Sequence, residues 1–418
     1  MTRTVHIIGA GISGLSAGVR LAEAGHRVHV HEATQAVGGR CRSYFDGATG
    51  LTIDNGNHLL LSGNRHALDY ASTIGSASGL VGPAKAEFSF IDLRESRQWM
   101  LRLNDGRVPL WVFDANSRVP GTTPRDYFAL APLVWASTDR LVGDTIACEG
   151  TLYDRLVQPL LLAALNIDPP KGSAGLAGAI VRETLLAGGK ACRPLVARNG
   201  LSSVLVDPAI AYIEGRGGSV RIGRELRELV REGGRVTALK FGDDDVALAP
   251  GDAVVLAVPA RAAAGLVPGL SAPTKFRAIV NAHFRYEPPA HLPPLLGVVG
   301  GLVEWLFAFP QRLSVTVSDG ERLIDAPREE LARAIWADVC KAARIEANLP
   351  PWQIVRERRA TFEATPEQHA LRPGATTSWT NLFLAGDWTD TGLPATIEGS
   401  VRSGDRAADH VLRMQAAA

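Results

Sequence analysis

Residues 5–14 read Val5-His6-Ile7-Ile8-Gly9-Ala10-Gly11-Ile12-Ser13-Gly14, and they decide the fold. Val5, Ile7 and Ile8 run apolar into Gly9, which predicts a buried strand ending in a tight turn. Ile12, Leu15, Val19 and Ala22 then recur at helical spacing, which predicts a helix over residues 11–24 with Gly25 as its stop. Residues 27–32 predict a second strand. Strand, turn, helix and strand within about 30 residues open a βαβ unit.

Each glycine has a physical task in such a unit. Gly9 allows the turn out of the strand. Gly11 lets backbone approach a pyrophosphate, and Gly14 lets the helix pack closely on the sheet. Ser13 sits inside the same turn. The helix N-terminus offers N–H groups and partial positive charge to an anion. Glu32 follows Gly14 by 18 residues, at the end of the second strand. A carboxylate there accepts hydrogen bonds from ribose hydroxyls and repels a 2′-phosphate, so FAD or NAD fits and NADP does not. Gly38-Gly39-Arg40 comes next. A second pair of glycines and a cation beside a pyrophosphate are not needed to hold NAD, so the reading narrows to FAD.

The string GAGISGL followed by Glu32 and Gly38-Gly39-Arg40 resembles the flavoprotein amine oxidase and phytoene desaturase superfamily. The far end agrees: Leu384-Ala385-Gly386-Asp387-Trp388-Thr389, then Ala395-Thr396-Ile397-Glu398-Gly399-Ser400, is similar to its C-terminal flavin motif. The resemblance implies an α/β fold, with a Rossmann-like FAD-binding domain and a discontinuous α+β substrate domain. It places the FAD domain in residues 1–62, 200–262 and 372–418, and the substrate domain in 63–199 and 263–371. It implies that Gly386 and Asp387 hold the ribityl chain and that Thr396 and Ile397, at the start of the last helix, face the flavin. Leu226 completes the cofactor-binding candidates. No cysteine stands near Trp388, so FAD is expected to be bound non-covalently.

The whole tail, with residues 159–169 (PLLLAALNIDP), 54–58 (DNGNH) and 304–307 (EWLF), is more specific. It resembles the hydroxysqualene dehydroxylases of bacterial hopanoid biosynthesis. The resemblance implies reductive removal of an allylic hydroxyl from a C30 isoprenoid. Protonation and loss of water leave an allylic cation, and reduced flavin supplies hydride. The protein must then provide an acid, exclude water and align the carbon. His58 leads the candidates for that acid, since it follows the turn expected beside the flavin. Glu304, Asp390 and an ordered water remain open. Rival readings are a carotenoid-type desaturase, a soluble amine oxidase and a non-catalytic lipid carrier.

Composition excludes other classes. With 46% hydrophobic residues among 418, the chain has ample material for a core. Its net charge of +1 gives no global field for nucleic acid. Cys41, Cys148, Cys192 and Cys340 lie far apart, against a disulfide framework or thiolate zinc site, so no metal is expected. The richest apolar run, residues 295–309, is too short and too glycine-rich to span a bilayer. Because a C30 hydrocarbon does not diffuse freely through water, the expectation is a cytoplasmic protein resting peripherally on the inner membrane face, or fed by partner enzymes of squalene synthesis.

Overall fold

The computed structural model describes residues 3–242 and 244–416. The FAD segments expected from sequence also take in residues 1–2, 243 and 417–418, which lie outside the described residues. The predicted βαβ opening is present as strand Thr4–Ile8, helix Ile12–Glu23 and strand Arg27–His31. These begin a five-stranded sheet in the order Ser219–Arg221, Arg27–His31, Thr4–Ile8, Ala253–Leu256, Leu382–Leu384. All its pairings are parallel. Val5, Val28, Val30, Val255 and Leu384 are wholly buried, as a parallel sheet covered on both faces requires. The C-terminal helix Ile397–Ala416 packs on Ile12–Glu23. A Cβ on Gly404 would stand 2.1 Å from Ser16 Oγ, so the two helices meet through a glycine. The two ends of the chain thus share one layer.

A second sheet has seven strands, in the order Trp352–Phe362, Phe276–Arg285, Arg312–Val317, Trp305–Phe309, Leu295–Val299, Glu87–Asp92, Arg97–Arg102. Its pairings are antiparallel except that of Leu295–Val299 with Glu87–Asp92. Side chains alternate between its faces. Val280, Phe284, Leu306 and Val315 pack with Leu331, Ile335 and Trp336 of helix Arg328–Ala343. Phe90, Trp305 and Phe307 point the other way, into a core shared with Leu161 and Leu176 of helices Gln158–Leu165 and Ala174–Glu183.

The apolar run 295–309 is therefore a hairpin of two strands. Among the described residues, no helix is long and apolar enough to cross a membrane. Three segments depart from their sequence pattern. The pattern of residues 127–142 predicts one helix, but the segment holds only the end of Pro124–Phe128 and the single turn Ala131–Val134. Pro132 cannot donate within a longer helix, and Ser137, Thr138 and Asp139 favour turns. The pattern of residues 180–186 predicts a further helix, which the structure has as Ala174–Glu183, capped by the Ser173 hydroxyl; its glycine-rich start conceals its first half. Strands Glu87–Asp92 and Arg97–Arg102 lie where the sequence reading found no clear pattern. All four cysteines are free, with Cys41 and Cys192 buried and Cys148 and Cys340 partly exposed.

Candidate active site

The first turn is built as its glycines predict. Gly9 has φ +105°, and a Cβ there would stand 2.4 Å from the Ala257 carbonyl oxygen. A Cβ on Gly14 would meet the Gly9 carbonyl oxygen at 2.1 Å. Both are therefore required by the chain itself. Gly11 differs: its backbone is extended (φ −75°), and a Cβ would find nothing within 4 Å. The space it clears is not filled by this protein. No side chain caps helix Ile12–Glu23, so its first N–H groups are left for an anion. Gly11, Ile12 and Ser13 line a cavity of about 1140 Å³.

Glu32 lies just past the second strand. Its Oε2 accepts from the Ala10 N–H at 2.9 Å, and its Oε1 accepts from the Thr34 N–H and hydroxyl at 2.9 and 2.8 Å. The carboxylate is thereby fixed at the cavity wall. Gly38 and Gly39 both have positive φ, +89° and +55°. The Gly38 N–H donates to the Ala10 carbonyl at 2.8 Å, and Gly39 approaches Gly11 Cα within 3.4 Å of where a Cβ would sit. The two glycine motifs thus form one backbone-lined cradle. Leu226, almost wholly buried, faces the same cavity.

The C-terminal motif closes the cradle. Arg40 donates to Asp387 Oδ1 at 2.7 Å and also to the Ala360 carbonyl. It therefore ties the N-terminal motif to the C-terminal one and to strand Trp352–Phe362. A Cβ on Gly386 would strike the Trp388 indole at 2.3 Å, and that indole N–H donates to the Val258 carbonyl at 2.9 Å. Arg372, which sequence reading missed, holds the Asp387 and Thr389 carbonyls from below at 3.2 and 2.5 Å. Burial pulls its guanidinium down to about 10. The Thr396 hydroxyl accepts from the Gly399 N–H at 3.0 Å, capping the last helix. Thr396 and Ile397 both line the cavity.

From the cradle the cavity runs between the seven-stranded sheet and the helical layer. Phe88, Phe90, Leu156, Leu160, Trp305 and Phe307 form its walls. The volume exceeds the roughly 300–1,000 Å³ of a site for one drug-sized ligand. Polar groups gather where the walls meet the cradle. Asn57 Nδ2 donates to the Val315 carbonyl at 3.1 Å and lies 3.4 Å from Asn281 Oδ1. The Thr316 hydroxyl donates to Asn281 Oδ1 at 2.9 Å, and Asn55 donates to Glu357 at 3.2 Å. Asn281 and Glu357 were not among the sequence candidates; a buried Asn within the apolar run FRAIVNAHF was the available signal.

The three candidate acids separate. His58 lies on this polar stretch of wall. Burial holds its pKa down, to about 4, against the pull of Asp54, so it is neutral at pH 7. Glu304 is buried, and burial pushes its carboxyl up to about 7 although the Ser318 N–H donates to it at 3.0 Å. Its neighbours Trp305 and Ser318 line the cavity, but Glu304 does not. Asp390 is exposed, accepts from the Gly392 N–H at 3.2 Å, and is also off the cavity wall. No group of three or more potential metal ligands occurs among the described residues.

A glycine-lined cradle opening into an apolar-walled cavity is an arrangement suited to a flavin oxidoreductase. Residues 12–412 match the flavin containing amine oxidoreductase family, and the chain belongs to it. Its cofactor is accordingly a flavin, and the clearance at Gly11 fits one. Among solved structures of this fold, cyclohexylamine oxidase from Brevibacterium oxydans matches with a TM-score of 0.72 at 17% identity, covering 99% of both chains. Nearer relatives are more particular. The chain is 70% identical, over 99% of both sequences, to the hydroxysqualene dehydroxylase of Rhodopseudomonas palustris. It is 45% identical to that of Zymomonas mobilis over 97% of this chain and 98% of the relative. A 15-cis-phytoene desaturase of Solanum lycopersicum matches at only 24%.

Proposed function

We propose that this protein is an FAD-dependent oxidoreductase that removes the allylic hydroxyl of hydroxysqualene reductively, giving squalene. The full-length identity of 70% to a hydroxysqualene dehydroxylase carries the reading. The long hydrocarbon-walled cavity that reaches the nucleotide cradle supports it. Glu32 takes the ribose hydroxyls, Gly11, Ser13 and the helix N-terminus take the pyrophosphate, and Asp387 takes the ribityl chain. FAD is bound non-covalently, so acid precipitation should release the colour from the protein. In domain terms, residues 1–62, 200–262 and 372–418 hold the cofactor, and residues 63–199 and 263–371 hold the substrate.

Bound and reduced, the flavin supplies the hydride equivalent. The chain does the rest. Phe90, Trp305 and Phe307 keep bulk water from the carbon that loses its hydroxyl, which protects a cationic centre from capture. The polar stretch around Asn57 is a part of the wall suited to a hydroxyl group. His58, neutral at pH 7, hydrogen-bonds the departing oxygen rather than protonating it, and the proton that makes it water comes from an ordered water at this polar wall. His58→Ala should lower single-turnover formation of squalene and leave flavin content intact; unchanged turnover would return His58 to a packing role. The direct test of the function is anaerobic. Protein with reduced flavin, mixed with hydroxysqualene, should yield squalene as the flavin reoxidises. Unaltered hydroxysqualene beside reduced flavin would overturn the proposal.

Supply follows from solubility. At about 0.8 kcal/mol per buried CH₂-sized group, placing a C30 chain in water costs on the order of 20 kcal/mol. The substrate therefore passes from a bilayer into the cavity, with the protein resting on the inner, cytoplasmic face of the membrane.

A further inference from the structure

The exposed apolar surface is concentrated in one segment. Among the described residues, the large apolar side chains left exposed are Phe45 and Ile222, plus five between 108 and 135: Val108, Leu110, Phe113, Phe128 and Trp135, the last 81% exposed. Trp111 and Tyr127 meet edge to face at 5.1 Å, so Leu110 and Phe128 flank one contact. Beneath them Trp111, Val112 and Leu133 join the same buried cluster as Phe90 and Trp305 of the cavity wall. A patch of this kind on a soluble surface marks an interaction site.

Next to it lies a surface depression of about 430 Å³, lined by Arg65, Arg107 and Lys190 with the single carboxylate Asp105. None of these three cations is in an ion pair among the described residues. Backbone contacts join two segments that line it, 105–107 and 187–191. The Gly189 N–H donates to the Asn104 carbonyl at 2.8 Å. Gly188 has φ +84°, and a Cβ there would stand 2.6 Å from the Gly106 carbonyl oxygen. Asn104 stitches the depression to the apolar segment: Nδ2 donates to the Gly106 and Val108 carbonyls, and Oδ1 accepts from the Trp111 N–H. The segment 59–64 is shared with the large cavity, since Leu61 and Asn64 line the cavity while Ser62 and Gly63 line the depression.

We propose that this face seats the protein on a bilayer, with Val108, Leu110 and Phe113 among the acyl chains and the phosphate of an anionic phospholipid in the Arg65–Arg107–Lys190 depression. The inference rests on the reading that the substrate arrives from a membrane, and it names the surface and the headgroup. Apolar side chains alone favour any lipid. Three unpaired cations around one cleft, against one carboxylate, select a phosphate that carries net negative charge. The depression borders the cavity loop, so a headgroup held there brings the acyl layer to the substrate's side of the molecule.

Flotation of the flavin-loaded protein tests this, with vesicles of phosphatidylcholine alone and of phosphatidylcholine mixed with phosphatidylglycerol. Wild type should float with both and bind the mixed vesicles more tightly at low salt. Arg107→Glu/Lys190→Glu should lose that preference, by about fivefold or more, and still float with neutral vesicles. Leu110→Ser/Phe113→Ser should lose flotation with both. Both pairs are exposed, so flavin content and unfolding temperature serve as folding controls. If the charge variant keeps the full preference, or inorganic phosphate at millimolar concentration abolishes it, the headgroup site is wrong. If wild type floats and the apolar variant floats equally well, the docking face is wrong. Wild type that stays at the bottom with every vesicle overturns the membrane reading itself and favours hand-over from a soluble partner.

Discussion

The two sheets make the two halves of the site in different ways. At the five-stranded parallel sheet the site is shaped by backbone: Gly9, Gly11, Gly38 and Gly39 form its surface, and a few charged side chains, Glu32, Arg40 and Asp387, are fixed around it. At the seven-stranded sheet the site is made of side chains, with Phe90, Trp305 and Asn281 set by strand alternation and Asn57 and His58 carried on the connection between strands Leu51–Asp54 and Leu60–Leu61. A backbone site tolerates one residue type at each close approach. A side-chain site can be filled by several. That difference governs both how mutations act and how far each half can be read from sequence.

The comparison breaks first at the glycines. Gly9→Val should be the most damaging single change, since both φ and a backbone clash oppose it. A loss of about 3–5 kcal/mol is expected from strain and overpacking combined, read as chemical unfolding of flavin-free protein. A Gly9→Val variant unfolding with wild type would show that the turn can relax.

The mixed sheet should show a pH effect opposite in sign to that of the buried His6 and His31 beside the cradle, whose pKa values burial holds down to about 4 and about 3. Glu304 has a folded pKa near 7, above its ordinary value of about 4.3. Between those values the folded state binds more protons than the unfolded one, so stability falls as pH rises. The neutral isostere Glu304→Gln keeps an acceptor for the Ser318 N–H. It should therefore be more stable than wild type at pH 8, by about 1–3 kcal/mol, and equal to it near pH 4. Identical unfolding curves across that range would mean that Glu304 is already ionised at little expense.

The smallest stability effect should belong to Gly11→Ala. With nothing within 4 Å of the added Cβ, flavin-free stability should stay within about 0.5 kcal/mol of wild type. Flavin retention through gel filtration should nonetheless drop. A variant that keeps its flavin would detach Gly11 from the pyrophosphate role.

The same distinction explains what could be read in advance. The cradle was legible because Gly9, Gly14 and Gly38 are steric necessities and Glu32 sits at a fixed distance behind them. The Arg40–Asp387 pair was not, although both residues were singled out, because nothing in one sequence says that positions 347 residues apart meet. Strands Glu87–Asp92 and Arg97–Arg102 give little signal because each is six residues long with a charged residue at both ends, Glu87 and Asp92, Arg97 and Arg102, so few positions remain to show alternation. The acid stayed ambiguous for a related reason. His58 and Glu304 are equally plain in sequence, and only burial separates their proton affinities, to about 4 and about 7.

Isotope transfer reaches the central claim most directly. The protein is exchanged into D₂O, its flavin reduced anaerobically so that the transferable hydrogen is deuterium, and hydroxysqualene added for a single turnover. The account predicts squalene carrying one deuterium, at the carbon that lost its hydroxyl, with flavin reoxidised in equal amount. A dehydrated, more unsaturated hydrocarbon without deuterium, beside flavin still reduced, would contradict it.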